Sequence, residues 1–573
     1  MANRRRKQSS ASPVAAVAIV LLVLTAVFGV RLYHTKYAYS RERADLNEYY
    51  GVRGADDVPV VLCNNLSDYR AKLIDGVYYM DFRSVHEILN RRFYYGEQDG
   101  MVYYCLPTER VQTEVGSSTM RIPSQGDISE DYPLTQMVGD ELYLALDFVQ
   151  RFSNFTYTGY TEPNRIQMDN AWDREFVAEV KKDQSIRVSG GIKSEVVADV
   201  KRGDIVTILE TMDNWSKVKT ENAYIGYIEN KRLEEAYERT PQVPDVYTEP
   251  EYPTKRLDGK VCLVWHNVAY VDGNATIYDL LNNTRSINVV SPTWFSVSDD
   301  AGNMTDIASA NYVSDMRYRG IQVWPSVNNF TATGGSYVQG FLKTDKSRRA
   351  VIDRLLTAAD NYGFEGINVD FEGILDENGY DFIEFVRELS IECRKKGLIL
   401  SVDNYVPYNF NDHYDLMEQG VFADYVIIMG YDEHYAGSPE PGSVASIGYV
   451  KRGIEQALLE VPKEKVVNGV PFYTRIWTSK AGATTSIALG MQATQNYISE
   501  RGMSIIWNET AGQNYAEATF SDNSVVRVWI EDAESIRLKL GVMSANEIAG
   551  VAAWQLGFET PDIWDEIAAY ISR

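Results

Sequence analysis

Cysteine is scarce in this 573-residue chain: the four residues Cys63, Cys105, Cys262 and Cys393 show none of the close spacings used by zinc sites or redox motifs. The five histidines, His34, His86, His266, His413 and His434, include no His-x-x-x-His pair, so metal-assisted hydrolysis is not expected and no cofactor is implied. No Gly-x-Ser-x-Gly elbow is present to suggest acyl hydrolysis. Positive charge is also short, 56 Lys and Arg against 80 Asp and Glu, and a net charge of −24 repels a phosphate backbone. Nucleic acid is therefore not an expected partner. Cys63 and Cys105 fall in one N-terminal region and are open to pairing if it lies outside the cell. Cys262 and Cys393 read as small core hydrophobes.

What is present is an ordinary globular balance, 45% hydrophobic and 24% charged, in a chain too long for a single core. Arg4, Arg5, Arg6 and Lys7 precede an uncharged run over 8–30, apolar from Val14 and closed by Arg31. A bilayer core of ~30 Å needs about 20 such residues. The basic flank keeps its end cytoplasmic. Residues 1–33 are thus expected to be a cytoplasmic tail and transmembrane helix, followed by a stalk over 34–57. That makes a single-pass membrane protein with its large domains extracytoplasmic. A cleaved signal peptide is the alternative, although the run is long for one and no small-x-small site follows.

Over 58–170 a weak repeat is visible: Tyr79 matches Tyr143, Val85 matches Val149 and Phe93 matches Tyr157 at one offset. Each copy reads as strand, helix, strand, giving an α+β module. It resembles the domain at the N-terminus of copper amine oxidases, which implies a spacer or binding module and no copper chemistry. Five short strands over 184–235 include Asn214-Trp-Ser-Lys-Val218 and Gly226-Tyr-Ile228, which resemble the bacterial Src-homology-3 barrel. That resemblance implies either a wall-peptide binder or a structural spacer. Pro241, Pro244, Pro250 and Pro253 stiffen a linker over 236–257.

The rest, 258–573, alternates buried β runs with helical segments. Strand candidates lie at 260–265, 286–290, 320–324, 366–372, 398–402, 425–431, 466–471 and 550–556. Eight such strands predict an α/β fold, a closed (β/α)8 TIM barrel, with an α+β subdomain inserted over about 479–539. No glycine-rich phosphate loop follows the first strand, which argues against an open doubly wound sheet. The fourth strand is anomalous. Asn368, Asp370 and Glu372 alternate with Ile367, Val369 and Phe371, so three polar side chains share the inward face at the end of the barrel where chemistry is done. Two carboxyls this close raise at least one pKa, as a general acid at neutral pH requires. The alternative is an acidic pair satisfied by backbone or arginine.

Glu365-Gly-Ile-Asn-Val-Asp-Phe-Glu372 resembles the fourth-strand signature of glycoside hydrolase family 18, the family of chitinases and peptidoglycan N-acetylglucosaminidases. Met429-Gly-Tyr-Asp432, Gly469-Val-Pro-Phe-Tyr473 and Ala553-Trp-Gln555 resemble its sixth-, seventh- and eighth-strand motifs. The resemblance implies retaining, substrate-assisted hydrolysis. Glu372 would be the acid, Asp370 would orient the substrate acetamide, and Tyr431 would hydrogen-bond its oxygen. Asn368, Met429, Asp432, Tyr473 and Trp554 would bind substrate. Asn368 stands where the family has a middle aspartate, and the loss of that charge is expected to make Asp370 easier to ionise. This departure, like the missing Ser-x-Gly-Gly run after Val323-Trp-Pro-Ser-Val-Asn328, resembles the spore-cortex and cell-wall lytic subgroup. Peptidoglycan is therefore the expected substrate, with chitin, or a catalytically silent wall-binding role, as the alternatives. His266 and His434 follow the first and sixth strands and are candidates to line the cleft. Trp265, Trp294, Trp324 and Trp477 lie near strand ends, where each is either a sugar platform or packing.

Overall fold

In the computed structural model, which describes residues 13–331 and 336–572, the apolar run forms one helix, Pro13–Lys36, with its side chains exposed. Its 24 residues extend about 36 Å at 1.5 Å per residue, enough to cross a bilayer core. The basic cluster at 4–7 lies outside the described residues. The chain forms two compact units, 1–91 with 115–118 and 130–249, and 92–114 with 119–129 and 250–573.

The first unit holds two sheets. In one, the repeat meets itself: Val77–Asp81 pairs antiparallel with Glu141–Ala145, Ala145 facing Tyr79 and Tyr143 facing Asp81. A short helix follows each strand, Phe82–Ile88 and Leu146–Gln150. The repeat equivalents Tyr79, Tyr143, Val85 and Val149 are all buried. The third equivalence breaks: Tyr157 stays in this sheet, whereas Phe93 starts a strand of a different one. The other sheet is a small seven-stranded one over 175–239, whose core is Ala178, Val180, Ile186, Val200, Val206, Val218, Ile228 and Leu233. It carries two strands more than the sequence pattern revealed, Glu175–Glu179 and Tyr237–Arg239.

The second unit is built on a parallel barrel of Val261–His266, Val289–Pro292, a broken third strand, Gly366–Asp370, Ile399–Tyr405, Tyr425–Met429, Val466–Pro471 and Gly550–Trp554. The third strand differs from the expected 320–324. Gln322–Val323 pairs with the second strand, the chain breaks step at Trp324-Pro325, and Ser326–Asn328 pairs with the fourth. Pro325 has no N–H to give the ladder, which interrupts the strand, but both pieces keep neighbours on either side: the Val323 carbonyl accepts from the Glu365 N–H, and Val327 also pairs with Phe295 beyond the second strand. Val261, Leu263 and Trp265 point into the barrel with Trp324, Tyr425 and Ile427. Cys262 and Val264 point out to the helices. This alternation sets which side chains can reach the mouth.

Two additions flank the barrel. A five-stranded antiparallel sheet with one helix, Met491–Glu500, is inserted after the seventh strand. It begins at Tyr473, earlier than expected, because Tyr473–Lys480 and Ala483–Gly490 form a hairpin. Ala481 and Gly482 turn it with φ of 51° and 82°, and this left-handed pair matches the strand twist. The second addition is a meander of five antiparallel strands between Phe93 and Ser129. It docks through buried charge. Arg110 Nη1 donates to Glu388 Oε1 at 2.5 Å, Arg92 Nε to Glu418 Oε1 at 3.0 Å, and Tyr94 OH to Asp381 Oδ1 at 2.6 Å. Cys105 sits in this meander with its Sγ donating to Glu384 Oε1 at 3.4 Å, while the Cys63 Sγ donates to Asn170 Oδ1 at 3.3 Å. Both are free thiols, which overturns the suggested pairing.

Candidate active site

The fourth strand carries its inward residues to the barrel's C-terminal end, and the fifth strand meets each of them. Asn368 is fully buried, and its amide is used on every side. Its Oδ1 accepts from Trp265 Nε1 at 2.9 Å and Ser291 Oγ at 3.1 Å, and its Nδ2 donates to Ser401 Oγ at 3.1 Å and Asp403 Oδ1 at 2.9 Å. Expected among the substrate-binding residues, it is enclosed by protein and acts on its neighbours instead.

Two repeats of the pleat further out, Glu372 Oε2 accepts a hydrogen bond from the Tyr405 hydroxyl at 2.7 Å. That hydroxyl in turn accepts from the Gly373 N–H at 3.2 Å, so its single proton is committed to Glu372. Asn329 clamps the Glu372 backbone, its Oδ1 accepting from the N–H at 2.9 Å and its Nδ2 donating to the carbonyl at 3.0 Å. Gly373 has φ of 60°, and a Cβ there would come within 2.2 Å of the Tyr337 ring. Only glycine lets the chain turn under that aromatic.

Asp370 is held well above the usual carboxylate range by burial first, then by the charges of Glu372 and Asp403. Burial also raises Glu372; the Tyr405 hydrogen bond opposes this and Asp432 adds to it. Asp403, buried on the fifth strand, is pushed up to about 8, by burial and by Glu372, against the hydrogen bond from Asn368. The Tyr431 hydroxyl is raised well above its ordinary value by burial and then by Asp403, Tyr473, Asp370 and Glu372. Asp370, Glu372 and Tyr431 are thus brought into one electrostatic compartment. Asp403, hydrogen-bonded to Asn368 from the neighbouring strand, is among the groups that raise Asp370, so an uncharged residue at 368 does not by itself leave Asp370 easy to ionise.

The remaining expected residues line the same end. Met429 ends the sixth strand, and Asp432, at φ 60°, accepts from Tyr473 OH at 2.5 Å. Rings run from Trp554 to Trp265 (6.1 Å), Trp265 to Tyr431 (6.3 Å) and Tyr431 to Tyr473 (6.4 Å). Trp294, Trp324 and Trp477 are buried in packing, and Trp477 Nε1 donates to the Gly442 carbonyl at 2.8 Å. His266 is buried against Tyr312, with which it stacks at 16°, and burial pushes it down to about 4, so it is neutral packing and not a cleft residue. His434 Nδ1 is hydrogen-bonded to the Ser443 carbonyl at 2.8 Å. Among the described residues no group of three His, Cys, Asp or Glu is placed to hold a metal. Sequence reasoning missed Asp403, Tyr405 and Asn329. The first two had a signal, because Ser401, Asp403 and Tyr405 alternate along the fifth strand as the polar residues do along the fourth.

Two carboxyls with raised pKa values, close together at the C-terminal mouth of a (β/α)8 barrel, are the arrangement that a glycosidase acid site would need. Residues 266–559 match the glycosyl hydrolases family 18, and the chain belongs to that family of glycoside hydrolases. Residues 185–234 match the bacterial SH3 domain. Among relatives, the uncharacterized glycosylase YvbX of Bacillus subtilis is 25% identical over 311 residues, 52% of this chain and 90% of its own. The cortical fragment-lytic enzyme of Bacillus subtilis is 29% identical over 231 residues, 39% of this chain and 53% of its own, so the chain spans about half of that relative. A chitinase structure from Chromobacterium violaceum superposes with a TM-score of 0.50 at 24% identity, covering 55% of this chain and 99% of the other, which shows the shared fold.

Proposed function

We propose that this chain is a membrane-anchored hydrolase that cleaves N-acetylglucosamine linkages in peptidoglycan on the outer face of the membrane. The carrying observation is Glu372, a half-buried carboxyl with a raised pKa and one directed hydrogen bond, set beside Asp370. Glu372 protonates the glycosidic oxygen. The substrate's own acetamide oxygen attacks the anomeric carbon, and water then opens the resulting oxazolinium with Glu372 as base, so configuration is retained. Asp370 orients the acetamide nitrogen and offsets its developing positive charge. Tyr431 donates to the acetamide oxygen. Trp554 gives the sugar a flat ring to rest on, and Met429, Asp432 and Tyr473 shape the acetamide pocket.

Peptidoglycan is favoured over chitin by the Asn368 motif and by the likeness to a cortical fragment-lytic enzyme. The anchor reading is supported by the length and apolarity of Pro13–Lys36. The α+β module, the SH3 domain and the proline linker come before the barrel in the chain, as spacer or wall-binding parts. Purified peptidoglycan incubated with the protein is expected to release fragments with new reducing N-acetylglucosamine ends, read by mass spectrometry. Faster release from chitin oligomers would move the substrate to chitin, and binding without release would sink the enzyme reading.

A further inference from the structure

The catalytic scheme uses two of the three carboxyls in the compartment. Asp403 is the third. It is buried on the fifth strand, its Oδ1 takes the Asn368 amide at 2.9 Å, and its Oδ2 has no hydrogen-bond partner among the described residues. A buried carboxylate oxygen with no donor is costly, which favours the protonated acid there. The groups facing Asp403 are Asn368, Asp370 and Glu372 from the fourth strand, Trp265 from the first, and Tyr431 after the sixth. Asp432 acts on Glu372. Among the described residues the charges acting on these three carboxyls are all acidic, so they cannot all ionise together.

We infer that Asp403 is a positioning residue: tied to Asn368 through one oxygen and able to gain or lose a proton at the other, it sets how readily the Asp370 and Glu372 pair ionises. This rests on the assignment of Asp370 and Glu372 to catalysis. It makes the Asn368–Asp403 pair a two-strand equivalent of one carboxyl, with the amide holding the acid in place and the acid taking up or giving up the proton. The pair lies behind Asp370, out of reach of substrate.

The test is the pH profile of kcat/KM for the full chain in detergent on a soluble N-acetylglucosamine oligomer. At the alkaline limb Asp403 has lost its proton, so Asp403→Asn removes a negative neighbour of Glu372 there and the limb is expected to move down by about one pH unit. Moving the carboxyl across in the double variant Asn368→Asp with Asp403→Asn is expected to return the limb to its wild-type position. A merely structural Asp403 would change melting temperature and leave the limb in place. A folded Asp403→Asn protein whose profile superposes on wild type overturns the inference. Should that variant not fold, a folded double variant whose limb stays displaced overturns it equally. Glu372→Gln separates the two levels: retained activity there defeats the catalytic assignment itself, whereas an inactive Glu372→Gln with an unmoved Asp403→Asn profile defeats only the role of Asp403.

Discussion

Tyr405→Phe isolates a single hydrogen bond to the proposed acid. The hydroxyl donates to Glu372 Oε2 at 2.7 Å and so favours the ionised carboxyl. A hydrogen bond to a charged group contributes about 1.5–3 kcal/mol, and one pH unit corresponds to about 1.4 kcal/mol, so its full loss is worth about one to two units. Glu372 is partly accessible, and water will replace part of the bond, so the lower figure applies. The sign follows from the donor. Without it Glu372 holds its proton more tightly, and the alkaline limb of kcat/KM moves up by about one unit while the acid limb stays. The Gly373 N–H also loses its acceptor, which adds about 1 kcal/mol of lost stability. The assay is kcat/KM from about pH 4 to about pH 10 on an N-acetylglucosamine oligomer, with melting temperature as control. A limb that stays put, or moves down, refutes the assignment of Tyr405 as the donor to the acid.

Two further outcomes follow from packing. Gly469→Ala places a methyl 3.0 Å from the Tyr431 ring and 3.3 Å from the Ile428 carbonyl; the displaced ring should lower kcat/KM about tenfold with little change in urea midpoint, and a larger loss of stability than of activity would contradict the placement. Arg348→Met leaves Glu388 short of its two 3.1 Å bonds from a fully buried guanidinium. Breaking such a pair costs about 3–5 kcal/mol, read in urea unfolding of the full chain, and a loss under about 1 kcal/mol would show that the network is not tightly coupled.

The barrel was legible because parallel strands buried on both faces must be continuous apolar runs, and a polar alternation inside one of them, Asn368, Asp370 and Glu372, has no packing explanation. The same logic applied to Ser401, Asp403 and Tyr405 would have found the fifth-strand partners. It was obscured because Ile399, Leu400 and Val402 make that run look like plain core. The third strand was misplaced because a strand interrupted at Pro325 has no local signature beyond the proline. The hairpin from Tyr473 to Gly490 was missed at its turn, since Ala481 is not a residue that advertises a positive φ. The meander's docking was invisible because Arg92, Arg110, Glu388 and Glu418 are charged residues far apart in sequence. A charge reads as solvated until its partner is known.

The most direct measurement is hydrolysis of purified peptidoglycan by Glu372→Gln beside the parent protein. Gln keeps the size of the side chain and can still meet the Tyr405 hydroxyl, but has no proton to give, so reducing-end release should fall by about three orders of magnitude with the melting temperature unchanged. Release at the parent rate from a folded Glu372→Gln protein would contradict the account.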